Sequence, residues 1–144
     1  MRRAAGVAAV LCVAAAGCSS FERIGFGFDT VPPEGTVVAF DRIVLREGIA
    51  VGVTASPRDG SGDVMDEDTV VELQSTDPTV LGLAPAERDS SCYWGCSGHE
   101  DQGANWHFVL YGVSVGHCSV AVRIDGEAEA EAEIPAEVEE PQAP

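Results

Sequence analysis

The chain has no lysine, and its basic residues are eight arginines against 24 aspartates and glutamates. Nucleic-acid binding needs clustered Lys and Arg to neutralise phosphates. That function is therefore excluded, as is docking of the protein surface on anionic lipid headgroups. The acidic excess serves solubility. No stretch keeps a long amphipathic helical period. Nor is any apolar run long enough to cross a membrane. The longest, Ala4 to Ala16, has about 13 residues, too few for a helix spanning a ~30 Å hydrocarbon core.

That run is informative in its place. Arg2 and Arg3 precede it, and Gly17-Cys18-Ser19-Ser20 follows it. A basic start, a short apolar run and small residues before a cleavage point form a secretory signal. Ala15-Ala16-Gly17-Cys18 resembles the lipobox of bacterial lipoproteins, with Ala15 where Leu is commonest. The resemblance implies a cleaved signal helix over 1–17 and lipidation of Cys18, first on the thiol and then on the new amine. Two or three acyl chains anchor firmly where one does not. Ser19 implies sorting to the outer membrane in a two-membrane cell. The expected localisation is thus exported and lipid-anchored in the envelope, with the membrane as partner through Cys18.

Residues 18–34 are expected to form a tether, punctuated by Gly25, Gly27, Pro32 and Pro33. Phe21, Ile24, Phe26 and Phe28 are apolar enough for part of it to pack on the domain or lie near the membrane. From Gly35 the pattern becomes short β-type runs between turn residues. The predicted strands are Thr36–Phe40, Ile43–Leu45, Ala50–Ala55, Thr69–Gln74, Val80–Leu83, Trp106–Val113, Cys118–Ile124 and Glu127–Ile134. Such spacing predicts an all-β sandwich or barrel. Val120, Val122 and Ile124 alternate with polar or small residues, and Asp125-Gly126 supplies a turn needing positive φ. Glu127 to Ile134 also alternates. A strand puts its alanines on one face, whereas the rival helix scatters them. The proline-bearing acidic tail, 136–144, is expected to be disordered.

Three segments resemble a bacterial immunoglobulin-like module of the second group. Gln74-Ser75-Thr76-Asp77-Pro78-Thr79-Val80 is similar to the family's Ser-Asp-Pro turn. Tyr111-Gly112-Val113-Ser114-Val115-Gly116 is similar to its Gly-Val-x-x-Gly segment, and an alternating strand follows from Ser119. Arg58-Asp59-Gly60 suits an earlier loop. The resemblance covers about 36–134 and implies an immunoglobulin-like antiparallel β-sandwich over 35–135. Two features depart from it. Leu73 stands near where a tryptophan is common, and a long loop, 84–105, replaces a short connection. Long loops in compact domains are often functional.

That loop holds Cys92, Cys96 and His99. After the signal is removed and Cys18 is acylated, Cys92, Cys96 and Cys118 remain. An oxidising compartment favours one disulfide among them and one residual thiol. Cys92–Cys96 would close a tight local loop, and either of these could instead tie the loop to Cys118. Parity with Val120 and Val122 points Cys118 into the core. A metal site would draw on Cys92, Cys96 and His99, completed by Cys118 or His107. Cys-x₃-Cys-x₂-His is not a familiar zinc spacing.

Gly112-Val113-Ser114-Val115-Gly116 fits the nucleophile-elbow pattern, but that chemistry needs a strand-to-helix turn. Asp59 to Asp63, with Asp66, Glu67 and Asp68, looks like a calcium loop but has Val64 and Val70 at the sixth and twelfth places. An ordinary acidic turn fits better. The sequence therefore predicts a non-catalytic interaction or structural module with an unidentified protein partner and no cofactor. The alternative is a metal-binding or redox-active protein using the Cys92/Cys96/His99 loop. Oligomeric state has no signature in the chain.

Overall fold

The structure is a computed structural model that describes residues 20–84, 87–88, 103–127 and 130–142. All regular structure among them is β. The strands are β1 Phe21–Phe28, β2 Val37–Val38, β3 Ile43–Arg46, β4 Ala50–Asp59, β5 Val71–Ser75, β6 Leu81–Leu83, β7 Glu87–Arg88, β8 Trp106–Gly112, β9 Gly116–Ile124 and β10 Ala132–Glu139. They form two sheets. The front sheet runs β1-β4-β8-β6, with β7 also on β8, and the back sheet runs β2-β3-β10-β9-β5.

Period-2 patterning builds both sheets. Val51, Val53 and Ala55 of β4 and Phe108 and Leu110 of β8 point inward from the front sheet. Ile43, Leu45, Val120, Val122, Ile134 and Val138 meet them from the back, and all belong to one buried cluster. Two sheets with one shared core is the layered solution for strands that are apolar on one face. The pairing is not antiparallel throughout, since β10 runs parallel to β3 from Ala136↔Ile43 to Glu139↔Arg46.

The expected tether is in large part a strand. β1 pairs antiparallel with β4, from Phe28↔Val53 to Ile24↔Pro57, with a register shift between Phe21 and Arg23. Ile24 is 1% exposed. The alternation Ile24-Phe26-Phe28 is real, but Gly25 and Gly27 occupy the outward positions and the shift interrupts the period. Glycine weakens the strand signal because it has no side chain to pack.

The expected disordered tail is also partly a strand, because β10 continues through Pro135 to Glu139. Proline usually ends a central strand for want of an N–H. Here it sits opposite Ser119. Ser119 directs both main-chain groups the other way, its carbonyl accepting the Thr76 N–H and its N–H donating to Thr76 Oγ1. In an antiparallel ladder Pro135 is then at a non-hydrogen-bonded pair with β9, and no donor is required. The Asp125-Gly126 turn has the expected geometry, with φ of 53° and 72°. The returning strand starts at Ala132 rather than Glu127.

The Ser75–Val80 turn is built by Asp77. Its Oδ1 accepts from the Thr79 N–H at 3.0 Å and from the Thr79 hydroxyl at 2.6 Å. The hydroxyl bond, then the main-chain bond, lowers the Asp77 pKa. A lowered folded value means that this stabilisation is present above the ordinary carboxylate range and is lost as pH falls through the folded value.

Candidate functional site

β5 is an edge strand. Among the described residues its one neighbour is β9. The Asp125 N–H goes to the Val70 carbonyl and the Thr76 N–H to the Ser119 carbonyl. Antiparallel ladders alternate, so the main-chain groups of Val70, Glu72, Gln74 and Thr76 face β9. Those of Val71, Leu73 and Ser75 face the open side.

The open side is a cleft of about 510 Å³ between the edges of the two sheets, running along β5 from Val70 to Gln74. Its far wall comes from the front sheet, where Leu83, Trp106 and Phe108 turn inward. β6 is three residues long and pairs with β8 from Gly112 to Leu110. Trp106 is held in place by its Nε1–H, which donates to the Thr69 carbonyl at 3.0 Å. Gly103 to Asn105, leading into it, is anchored by the Ala104 N–H on the Met65 carbonyl at 3.0 Å.

The rim is polar, with Glu72, Gln74 and Arg123. Arg123 Nε is buried and has no hydrogen-bond partner among the described residues. A buried, unpaired donor is costly and is relieved by any acceptor brought to it. Among the described residues the cleft thus combines an unpaired strand edge, an apolar floor and an unmet donor. It suits an extended chain that pairs with β5 and drops alternate side chains onto Leu73, Trp106 and Phe108.

Cys18, Cys92, Cys96 and His99 lie outside the described residues, as does most of the 84–105 loop. The described part of that loop includes β7, where Glu87 pairs with His107 and Arg88 with Trp106. Cys118 points inward as expected. It packs against the core as a free, half-buried thiol, and the Ser75 hydroxyl lies 3.9 Å from its sulfur. His107 points outward from the front sheet, where its Nδ1 is 3.1 Å from Thr54 Oγ1 and 3.4 Å from Asp29 Oδ1. Cys118 and His107 therefore sit on different sheets and different faces. With packed sheets ~10 Å apart, they do not complete the same zinc shell, whose bonds are ~2.0–2.3 Å.

Ser114 is committed to structure, its hydroxyl donating to the Thr79 carbonyl at 2.7 Å. Asp59 likewise spends Oδ1 on the N–H groups of Ser61 and Asp63, at 2.9 and 3.2 Å. Among the described residues no group of three His, Cys, Asp or Glu side chains is placed to hold a metal. The cleft itself was not foreseen, because its walls come from β5, the end of β6 and β8, on two different sheets that no local pattern relates.

No protein-family model and no curated protein matches the chain. Solved structures do match. Domains 1–6 of the surface layer protein SbsC superpose with a TM-score of 0.50 and 12% identity, over 86% of this chain and 14% of that one. Domains 4–9 give 0.49 and 11% over 85% and 15%, and domains 4 and 5 give 0.46 and 11% over 83% and 53%. The chain thus spans a minor part of the longer structures and about half of the two-domain one. At this identity the first of these matches is a likeness of fold.

Proposed function

We infer that the chain is a non-catalytic envelope lipoprotein, anchored through acylated Cys18. Its immunoglobulin-like domain binds an extended segment of a partner protein along β5. The cleft beside the free edge of β5 carries this reading. Strand addition uses main-chain bonds for affinity and alternate side-chain pockets for specificity. The free edge supplies the bonds at Val71, Leu73 and Ser75, and the apolar wall supplies the pockets. An open edge left uncovered is an aggregation liability, which a dedicated partner removes.

The lipobox-like leader and Ser19 support placement on the outer membrane. The fold likeness to domains of a surface layer protein fits a module used at the cell surface.

A photo-activated cross-linker tests the binding site in the full chain within its own cells. Placed at Gln74, on the cleft rim, it should give one discrete protein adduct that Leu73→Arg abolishes. Placed at exposed Glu133 of β10 it should not. Equal adducts from both positions, or none from Gln74, would remove the cleft as the binding site.

A further inference from the structure

The reach of the chain from Cys18 is far shorter than the sequence suggests. An unstructured 18–34 would span up to about 60 Å. β1 instead begins at Phe21, three residues after Cys18. Three residues span at most about 11 Å, so an acylated Cys18 stays within that distance of Phe21.

Phe21 sits at a projecting tip. β4 pairs with β8 as far as Ala55 and continues to Asp59. Over Ser56 to Asp59 its one strand partner among the described residues is β1. Phe21 lies opposite Asp59 at the end of this two-stranded ribbon. A tight turn caps it. The Asp59 N–H donates to the Asp63 carbonyl, the Gly62 N–H to the Asp59 carbonyl, and Arg58 Nη1 to the Gly62 carbonyl at 2.7 Å. The heads of Glu22 and Arg23 flank the turn. A Cβ at Gly60 would lie 3.7 Å from Glu22 Oε2, and one at Gly62 would lie 3.6 Å from Arg23 Nη2. Both residues are exposed. The far end of β1 is distant. The Asp29 N–H donates to the Gly52 carbonyl there, about 27 Å from Phe21 at ~3.4 Å per residue. Val31, just beyond, is 94% exposed.

We propose that this tip is the membrane-facing surface of the domain and rests on zwitterionic phospholipid headgroups. The inference rests on the acylation of Cys18 put forward above. With at most about 11 Å between lipid and ribbon, the tip is the part of the domain that the anchor brings to the bilayer. Its charge suits that place. Arg23 and Arg58 stand against Glu22, Asp59 and Asp63, whereas the whole chain has eight arginines against 24 acids. The acidic excess that opposes lipid contact elsewhere is nearly absent here. A carboxylate and a guanidinium side by side match the ammonium and phosphate of one zwitterionic headgroup. The posture also leaves the β5 cleft open. The cleft wall begins at Trp106, which pairs with Ala55 and so stands level with Phe26. That is about 17 Å along β1 from Phe21.

Fluorescence quenching tests this, with the full acylated chain on phosphatidylcholine vesicles that carry headgroup spin-labelled phosphatidylcholine. A fluorescent unnatural residue replaces Ser61, exposed at the tip, in one sample and Val31 in the other. Quenching at 61 should be at least threefold that at 31. Inserting about 20 Gly and Ser residues between Ser19 and Ser20 should keep the chain on the vesicles and cut the quenching at 61 at least twofold. Equal quenching at the two positions, stronger quenching at 31, or quenching at 61 that ignores the insertion would overturn the inference and leave the anchor standing. A chain that does not float with the vesicles would overturn the anchor and the inference together.

Discussion

Ile24→Ala should lower the unfolding free energy of the full chain by roughly 2–4 kcal/mol, read from denaturant titration. Ile24 lies in β1 at 1% exposure, within the shared core. Truncation removes its transfer free energy and leaves a cavity in the space between the sheets. A mere tether would show no change at this position. Val31→Ala is the matched control. Val31 belongs to the same 18–34 stretch but is 94% exposed, so its effect should stay within about 0.5 kcal/mol. Equal, small effects at both positions would mean that β1 is not part of the folded unit.

Gly112→Ala should be nearly as damaging, at about 3 kcal/mol, although it adds a single methyl group. Gly112 is where the end of β8 meets the turn after β3. Its carbonyl accepts the Gly48 N–H and its own N–H donates to the Ile49 carbonyl, both at 2.9 Å. A Cβ there would collide with the Arg46 carbonyl oxygen. The two nearest atoms belong to the Arg46 backbone and the third is a methyl of buried Val138, so no flexible side chain can yield, the turn must shift and those two bonds must stretch. Gly27→Ala is the contrast. A Cβ at Gly27 meets nothing within 4 Å, and the change should be neutral or slightly stabilising by restricting the unfolded chain. Thermal unfolding of the two variants compares them directly.

These two positions also show what the sequence could and could not carry. Gly112 stands in a segment legible from its motif, and strands β3, β4, β5, β6, β8 and β9 were readable from alternating apolar residues. β1 was not, because glycines fill its outward positions and the register shift breaks the period. The end of β10 was hidden by Pro135, whose tolerance depends on the direction in which Ser119 points, a property of the ladder and not of local composition. The parallel pairing of β10 with β3 is equally non-local. Cys118 was placed inward by parity alone, and the structure agrees. The candidate cleft was illegible for a different reason. Its walls come from Leu73, Leu83 and Trp106, which no spacing rule relates.

Anchoring without a metal is the central claim, and the intact mass of the chain purified from its own envelope tests it most directly, first under native and then under denaturing conditions. The account predicts a polypeptide beginning at Cys18, heavier by its acyl chains and with no metal retained in the native spectrum. An unacylated N-terminus at another residue, or a stoichiometric metal held with Cys92 and Cys96 as free thiolates, would contradict it.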